Sequence, residues 1–493
     1  MKILKKYILG SALSLLLLSQ VACKKEFLEI TPKGKQIAVT TKDYELILNA
    51  NSLSTSSAGA FMGDDIAALR PYFAQLTIRK QRLFKYESRV YESDQLPDEL
   101  SGGETYINRL YLFNKIINEV MESKGGTDAQ KRAILAEARA GRAICNFMFL
   151  SDFTTPYMEA TAATELGIPN LIEADVTLTE FKRLTKQESY DLIIKDLKEA
   201  MPELGPLVHR RKISKIAAQF YLARIYFAMR KYELAHPILD EALLEKSKST
   251  IDLDLYDYNK VLDPADSETW FPLLFGLVLA NQPLPAENIQ QIYDITVSVG
   301  DFTGGGANGF VLSPQTMNLF DPLDKRPNLF DNMEWQGDSE FPLKMRRSIG
   351  FFTSVGPSVS DLYLMRAECR ARANNLAGAV ADVQLLREKR SGNPNVPGSV
   401  ANNQEALVRY ILDERIREFA FTGLRWLDMR RLYNEPVYGS HVKMTHEVRT
   451  MADTNNDGVA GDISETHTLK PERFALKFGE RMLRESKGLE ENQ

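Results

Sequence analysis

The chain has 493 residues, with 61 Lys and Arg against 66 Asp and Glu, a formal net charge of −5 and 44% hydrophobic residues. That is enough apolar material for one large domain or two to three ordinary ones, and the acidic balance argues against a nucleic-acid partner, which needs a basic face. Three cysteines do not make a disulfide framework; Cys145 and Cys369, each set in an apolar helical pattern, read as two buried free thiols in preference to a single bridge.

The first element is a leader. Lys2, Lys5 and Lys6 precede an apolar stretch from Tyr7 to Leu18, followed by Ser19, Gln20, Val21, Ala22 and Cys23, the charged, apolar and small-residue order of an export signal. The apolar run is shorter than the roughly 20 residues a helix needs to cross a bilayer, so residues 1–22 are expected to be removed. A cysteine directly after a small residue at the cleavage point resembles the bacterial lipobox, with Gln20 where an aliphatic residue is usual. The resemblance implies acylation of Cys23, which becomes the new N-terminus. Stable anchoring takes at least two acyl chains, because each buried methylene contributes only about 0.8 kcal/mol. A secreted protein with an ordinary cysteine near its start is the alternative. No later run of 18 uncharged apolar residues occurs.

Beyond the leader most of the chain carries the 3.6-residue period, so the fold class is mainly α. A helix is predicted over about 104–122. Thr127 with Gln130 forms a capping signal, after which Ile134, Ala138, Gly141, Ile144, Cys145, Met148 and Phe149 line one face. Tyr190, Ile193, Ile194, Leu197, Ala200, Met201 and Leu204 form a second stripe. Helices follow at about 212–230 and 232–246, where Leu222, Ala223, Tyr226, Ala235, Leu239 and Ala242 reproduce tetratricopeptide spacing, in which small residues let two antiparallel helices approach. A weaker copy lies in the helices at about 361–373 and 377–390, carried by Tyr363, Ala367, Ala379, Val383 and Leu386, and a last helix is predicted over 404–432. The helical repeats thus fall into two blocks, about 104–246 and 361–432.

Between them, over about 249–357, the helical period lapses. Ile251, Leu253 and Leu255 alternate with acids, Trp270 to Ala280 is nearly all apolar, and Ile292 to Val299 is rich in strand formers. Residues 391–403 and 435–469 also read as irregular. Loops carried on a rigid frame are where recognition usually resides.

The run Gly304-Gly305-Gly306-Ala307-Asn308-Gly309 has the form of a phosphate loop, but Phe310-Val311-Leu312 and a new cap at Ser313-Pro314 follow it, so no helix opens there and a flexible loop is expected. Asp453, Asn455, Asp457 and Gly458 match the opening of a calcium loop. Its twelfth position holds Ser464, with the acid one residue late at Glu465. A metal-free Asn-Asp-Gly turn is the default there, calcium is the alternative, and no other cofactor is expected. His446-Glu447 lacks a second histidine four positions on, and there is no nucleophile elbow or Walker loop. Glu414 and Glu418 lie one helical turn apart with Arg415 and Arg417 between them, which points to charge pairing and not to a glycosidase pair. The residues therefore give no support for an enzyme. Aromatic side chains offer flat faces for stacking on sugar rings or peptide groups. Tyr157, Trp270, Phe302, Phe310 and Trp335 all fall in stretches read as loop or insert, with packing in the core as the plain alternative for each. Trp335, between Glu334 and Gln336-Gly337-Asp338, is the aromatic expected to be exposed; Trp426, beside Phe419, Phe421 and Leu427, reads as core.

Several of these segments resemble the SusD/RagB-type surface lipoproteins. The matching residues are Cys23, Phe27-Leu28-Glu29 and Pro32; Glu137-Ala138-Arg139, Arg142-Ala143, Phe147 and Phe153-Thr154-Thr155-Pro156; Tyr190, Ile193 and Asp196-Leu197; Ala367-Glu368; and Glu414-Arg415, Glu418-Phe419, Gly423, Arg425-Trp426, Asp428 and Arg430-Arg431. They run in the family's order from residue 23 to about 431, nearly the whole chain after the leader. Thr154 stands where a glycine is usual and Thr422 where a glutamate is, and the customary Ile-Pro near the C-terminus is absent. The resemblance implies one helical domain with tetratricopeptide-like pairs and an irregular ligand-facing insert, anchored by lipid on the outer membrane and facing the exterior. It implies capture of oligosaccharides or peptides without catalysis, and delivery to a TonB-dependent β-barrel transporter of the SusC type. It also implies that the shared Arg and Glu residues are structural. A surface glycan hydrolase and a helical scaffold for envelope assembly are the competing readings.

Overall fold

The computed structural model describes residues 38–51, 53, 58–91, 105–175, 177, 180–262, 288–298, 307–348 and 352–492. Cys23, Trp270 and Phe302 lie outside them. Helix α1, Thr41–Ala50, is closed by a capping box in which Thr40 and Asp43 satisfy each other's backbone N–H groups. Helix α2, Thr105–Glu119, packs against α3, Asp128–Phe153, whose predicted Thr127–Gln130 box forms with both bonds in place. The α2–α3 approach depends on Gly141, since a methyl group there would lie 2.3 Å from the Phe113 ring. Helix α4, Lys186–Ala200, covers another side of α3 and is capped by Thr185 and Glu188 in the same way.

The tetratricopeptide-like pairs form as the alanine spacing requires. Helices α5, Lys215–Ala228, and α6, Tyr232–Lys246, pack together with Ala223, Ala235, Leu239 and Ala242 fully buried between them. Helices α7, Val359–Arg372, and α8, Leu376–Arg387, repeat the arrangement around Ala367, Ala379, Val383 and Leu386. The two blocks are separated in sequence but continuous in space, because α6 packs on α7. Helix α9, Gln404–Glu418, then lies against α7. The single helix expected over 404–432 is in fact two: the chain breaks at Phe421 (φ 62°) and Gly423 (φ 86°), and α10, Leu424–Leu432, starts anew. A side chain at Gly423 would come 2.7 Å from the amide of Ala60, so the break is where the N-terminal segment presses on the helical block.

Residues 435–469 hold more order than their sequence signals. Strand β1, Ile66–Leu69, pairs antiparallel with β2, Phe310–Leu312, and parallel with a strand at Thr445–Arg449, which forms a hairpin with Ile463–Thr468. This four-stranded sheet joins the N-terminal segment, the insert and the C-terminal region. Short two-stranded ribbons pair Leu166–Pro169 with Arg183–Thr185 and Thr296–Ser298 with Phe352–Ser354. Most buried apolar residues form one cluster spanning helices and sheet.

Most of the shared charged residues are buried and paired, whereas Arg139 meets Glu199 partly in solvent and Arg430 donates to the carbonyls of Phe474 and Thr154. Arg326 reaches Asp324 at 2.6 Å, Glu414 at 2.8 Å and Glu418 at 3.1 Å; Arg415 joins Asp361 and Asp428; Arg431 joins Glu368 and Asp428. Burial works against ionisation of Glu414, yet the charges of Arg326, Arg417 and Arg387 outweigh it and hold its carboxyl well below the usual range. Cys145 and Cys369 are both free and buried, and burial pushes the Cys145 thiol up to about 12.

Candidate ligand-binding site

Beyond β2, the insert folds back in a hairpin of β3, Phe330–Asp331, and β4, Arg347–Ser348, extended by a bridge between Met333 and Glu340. The Glu334 N–H donates to Ser339 O at 3.0 Å and the Gly337 N–H to Glu334 O at 3.4 Å, which puts Trp335 and Gln336 at the corners of the tip. Gln336 takes a left-handed conformation, φ 58°, that side chains other than glycine and asparagine rarely adopt. Trp335 is half-buried, while residues 336–340 are exposed.

The tip is fastened from several directions. Asn308, at the end of the glycine run, takes both backbone groups of Trp335: the Trp335 N–H donates to Asn308 Oδ1 at 2.7 Å, and Asn308 Nδ2 donates to Trp335 O at 3.4 Å. The Arg347 guanidinium lies 5.3 Å from the centre of the Trp335 ring, within cation–π range. Its nitrogens are spent on Met333 O at 2.8 Å, Ser348 O at 3.4 Å and the Asp331 carboxylate. The Tyr72 hydroxyl donates to Glu334 Oε1 at 2.5 Å; this bond, together with partial burial, pushes the phenol up to about 12. Tyr72 and Leu343 in turn pack on a small core of Ala67, Leu69, Val311, Phe341 and Met345, so the hairpin is seated on one face of the β1–β2 ribbon. The result is a half-buried aromatic ring fastened near the hairpin tip beside carboxylate and amide groups, the residue types that accompany a stacking ring in a sugar site.

Two other aromatic candidates are corrected by the structure. Phe310 is 1% exposed, with the rings of Phe61 and Phe84 each 5.4 Å away, because β2 turns its side chain into the core. Tyr157 is also buried: its hydroxyl donates to Gln187 Oε1 at 2.8 Å, and its ring meets Tyr190 edge-on at 5.0 Å. The void beside it, about 40 Å³, has room for about one water and none for a sugar. Tyr72, Asn308 and Arg347 were not singled out by the sequence. Asn308 was inside a run whose glycines carried the only visible signal.

Asp453, Asn455 and Asp457 do come together, in the loop linking Thr445–Arg449 to Ile463–Thr468. The fourth oxygen donor is Asp462 and not Ser464 or Glu465: carboxylate oxygens of Asp453, Asp457 and Asp462 lie within 4.8 Å of one another. The same groups accept the loop's own amide hydrogens, Asp453 from Asn456 and Gly458 at 2.8 Å each, Asp457 from Val459 at 2.8 Å, and Asp462 from Asn455 at 3.0 Å. Glu414 and Glu418 are enclosed by arginines and take no part in a site.

A family model described as "SusD family" matches residues 359–477, and one described as "Starch-binding associating with outer membrane" matches residues 27–227. No curated protein sequence matches the chain. Among solved structures, a SusD superfamily protein from Bacteroides thetaiotaomicron shares 16% identity at a TM-score of 0.68, covering 92% of this chain and 100% of its own. A putative sugar binding protein from Bacteroides vulgatus shares 17% at 0.65, covering 93% and 99%. Surface glycan-binding protein A from Bacteroides uniformis shares 15% at 0.59, covering 90% and 93%. Two family models that between them take in the α2–α5 helices and the α7–α10 helices with their buried arginines, on a fold shared across almost the whole chain, place this protein in the SusD/RagB family.

Proposed function

We propose that this protein is a cell-surface lipoprotein, acylated at Cys23, that captures oligosaccharides on the Trp335 hairpin tip and delivers them to a TonB-dependent β-barrel transporter of the SusC type. The observation that carries the reading is the fastening of Trp335: both of its backbone groups are taken by Asn308 and its ring is held by Arg347, while the adjoining residues stay in solvent. Preorganising a stacking ring in this way lowers the entropy lost on binding. The matching family description names starch binding and association with the outer membrane, and two of the similar structures are described as sugar- or glycan-binding. No helix among the described residues is long and apolar enough to cross a membrane; the anchor is assigned to Cys23 on the lipobox-like order of residues 1–23. Binding proceeds without cleavage in this reading, since Glu414 and Glu418, the carboxylates with the spacing of a pair, are consumed by arginines. The test is twofold. Purified protein incubated with neutral glycan mixtures should retain oligosaccharides and return them at unchanged mass, and gentle extraction of the membrane should bring down a large β-barrel partner. Shortened glycans would indicate a hydrolase, and recovery with envelope-assembly proteins alone would indicate a scaffold.

A further inference from the structure

The charges of the hairpin are sorted by sign. Of its three cations, Arg347 is closed by Met333 O, Ser348 O and Asp331, and Arg346 turns inward, donating to Pro327 O at 3.0 Å and Phe330 O at 3.1 Å. Lys344 is exposed, but it stands on the return segment beyond Phe341 and Pro342 and not at the tip. Just past β1, Arg70 is paired with Glu465. The carboxylates are arranged the other way. Asp338 and Glu340 are exposed, Glu340 accepting from Asn332 Nδ2 at 3.2 Å, and half-buried Glu334 accepts from the Tyr72 hydroxyl through one oxygen. All three lie within six residues of Trp335, in a closed turn comparable in size to the screening length of about 8 Å in physiological salt.

We infer that this tip selects uncharged glycans and rejects those carrying uronic acid or sulfate groups, because Glu334, Asp338 and Glu340 share the tip with Trp335 while both arginines of the hairpin are turned onto carbonyls and Asp331. The inference rests on the reading of Trp335 as the glycan platform. A neutral pyranose places its apolar face on the indole and donates its hydroxyls to Glu334 and accepts from the Gln336 amide, while Asp338 and Glu340 act on a ligand only through their charge. A uronate or sulfate brings a second negative charge to the same tip without finding a free guanidinium, and specificity arises from that repulsive element.

The experiment uses the full-length protein in detergent and an array of α- and β-glucans, galactans and mannans, each beside its C6-oxidised uronate form and its sulfated form. The neutral member of every bound pair should bind at least about tenfold more tightly at 0.05 M salt, and the gap should shrink toward unity at about 1 M, where screening falls to about 3 Å. The exposed double substitution Asp338→Asn with Glu340→Gln should narrow the low-salt gap by about threefold or more while neutral affinity stays within about threefold. A charged member that binds as well as its neutral partner, or a gap indifferent to salt and to the double substitution, overturns the charge selection and leaves capture intact. Failure of every pair to bind, or binding unchanged in Trp335→Ala, overturns the platform reading and this inference with it.

Discussion

Trp335, Phe310 and Tyr157 have similar credentials as residues and different fates in the fold. What separates them is partners: Phe310 has three phenylalanine rings around it, and Tyr157 has Gln187 and Tyr190. None of those partners is adjacent in sequence, so only Trp335, with polar groups on both sides, could be placed from its neighbours alone. The buried charges are legible for the opposite reason, because Glu414, Arg415 and Arg417 announce pairing by their helical spacing, although most of their partners are on other elements. Replacing Arg431 by Met leaves Glu368 with Arg372 alone and Asp428 with Arg415 alone in the interior, and urea unfolding should show a loss of about 3 kcal/mol; a loss under 1 kcal/mol would mean that the remaining arginines close around the gap. His446 offers a pH test. Its ring lies between those of Phe84 and Tyr86 at 4.2 and 4.5 Å, with its nitrogens 2.8 and 2.7 Å from Phe84 O and Gly63 O. Burial drives its pKa down to about 4, outweighing the two carbonyls and Asp64, which hold it up. The neutral ring therefore contributes stability that is fully present above the unfolded value of about 6.5 and is lost as pH falls toward 4, at most about 3 kcal/mol. Imidazole NMR should find the ring neutral at pH 5.5, and titration above 6.5 would show that the carbonyls win.

At the scale of elements, periodicity and caps located most of the helices, and the capping box at Thr127 formed as read. The strands were harder. The strand Thr445–Arg449 is buried at nearly every position and its partner Ile463–Thr468 is exposed at most of its own, so neither shows the alternation of a half-buried strand. The break between α9 and α10 was hidden because apolar residues continue through it, and only the contact of Gly423 with the N-terminal segment explains it. The acidic loop after Arg449 was half legible: three donors were named, and the fourth, Asp462, lies off the expected spacing. Each of the three clustered carboxylates accepts loop amides, and Ser464, at the position of the usual bidentate acid, donates to Val448 O instead. The turn is expected to stand without a cation. Melting temperature after chelation should stay within about 1 °C when 1 mM calcium is restored, since a ligand at its Kd adds only about 0.4 kcal/mol and tighter binding would show more. A rise of several degrees would establish a calcium site.

The whole molecule joins a helical block to a sheet on which the Trp335 hairpin is seated. The mainly helical class and the two repeat blocks were visible in the alanine spacings, but their stacking through α6 and α7 was not, since contact between distant segments leaves no local pattern. The proposed anchor belongs to this scale as well, because a tethered receptor would work only where its transporter is. Cys23→Ala should abolish detergent-phase partitioning and labelling by fatty acid while leaving glycan affinity within about twofold; a variant that stays membrane-bound would place the anchor elsewhere. Capture at the Trp335 tip is tested most directly by calorimetry of one bound oligosaccharide against wild type, Trp335→Phe and Trp335→Ala. The account predicts that phenylalanine keeps affinity within about threefold and that alanine loses tenfold or more, about 1.4 kcal/mol, with the fold unchanged by circular dichroism. Equal affinity in all three would contradict it.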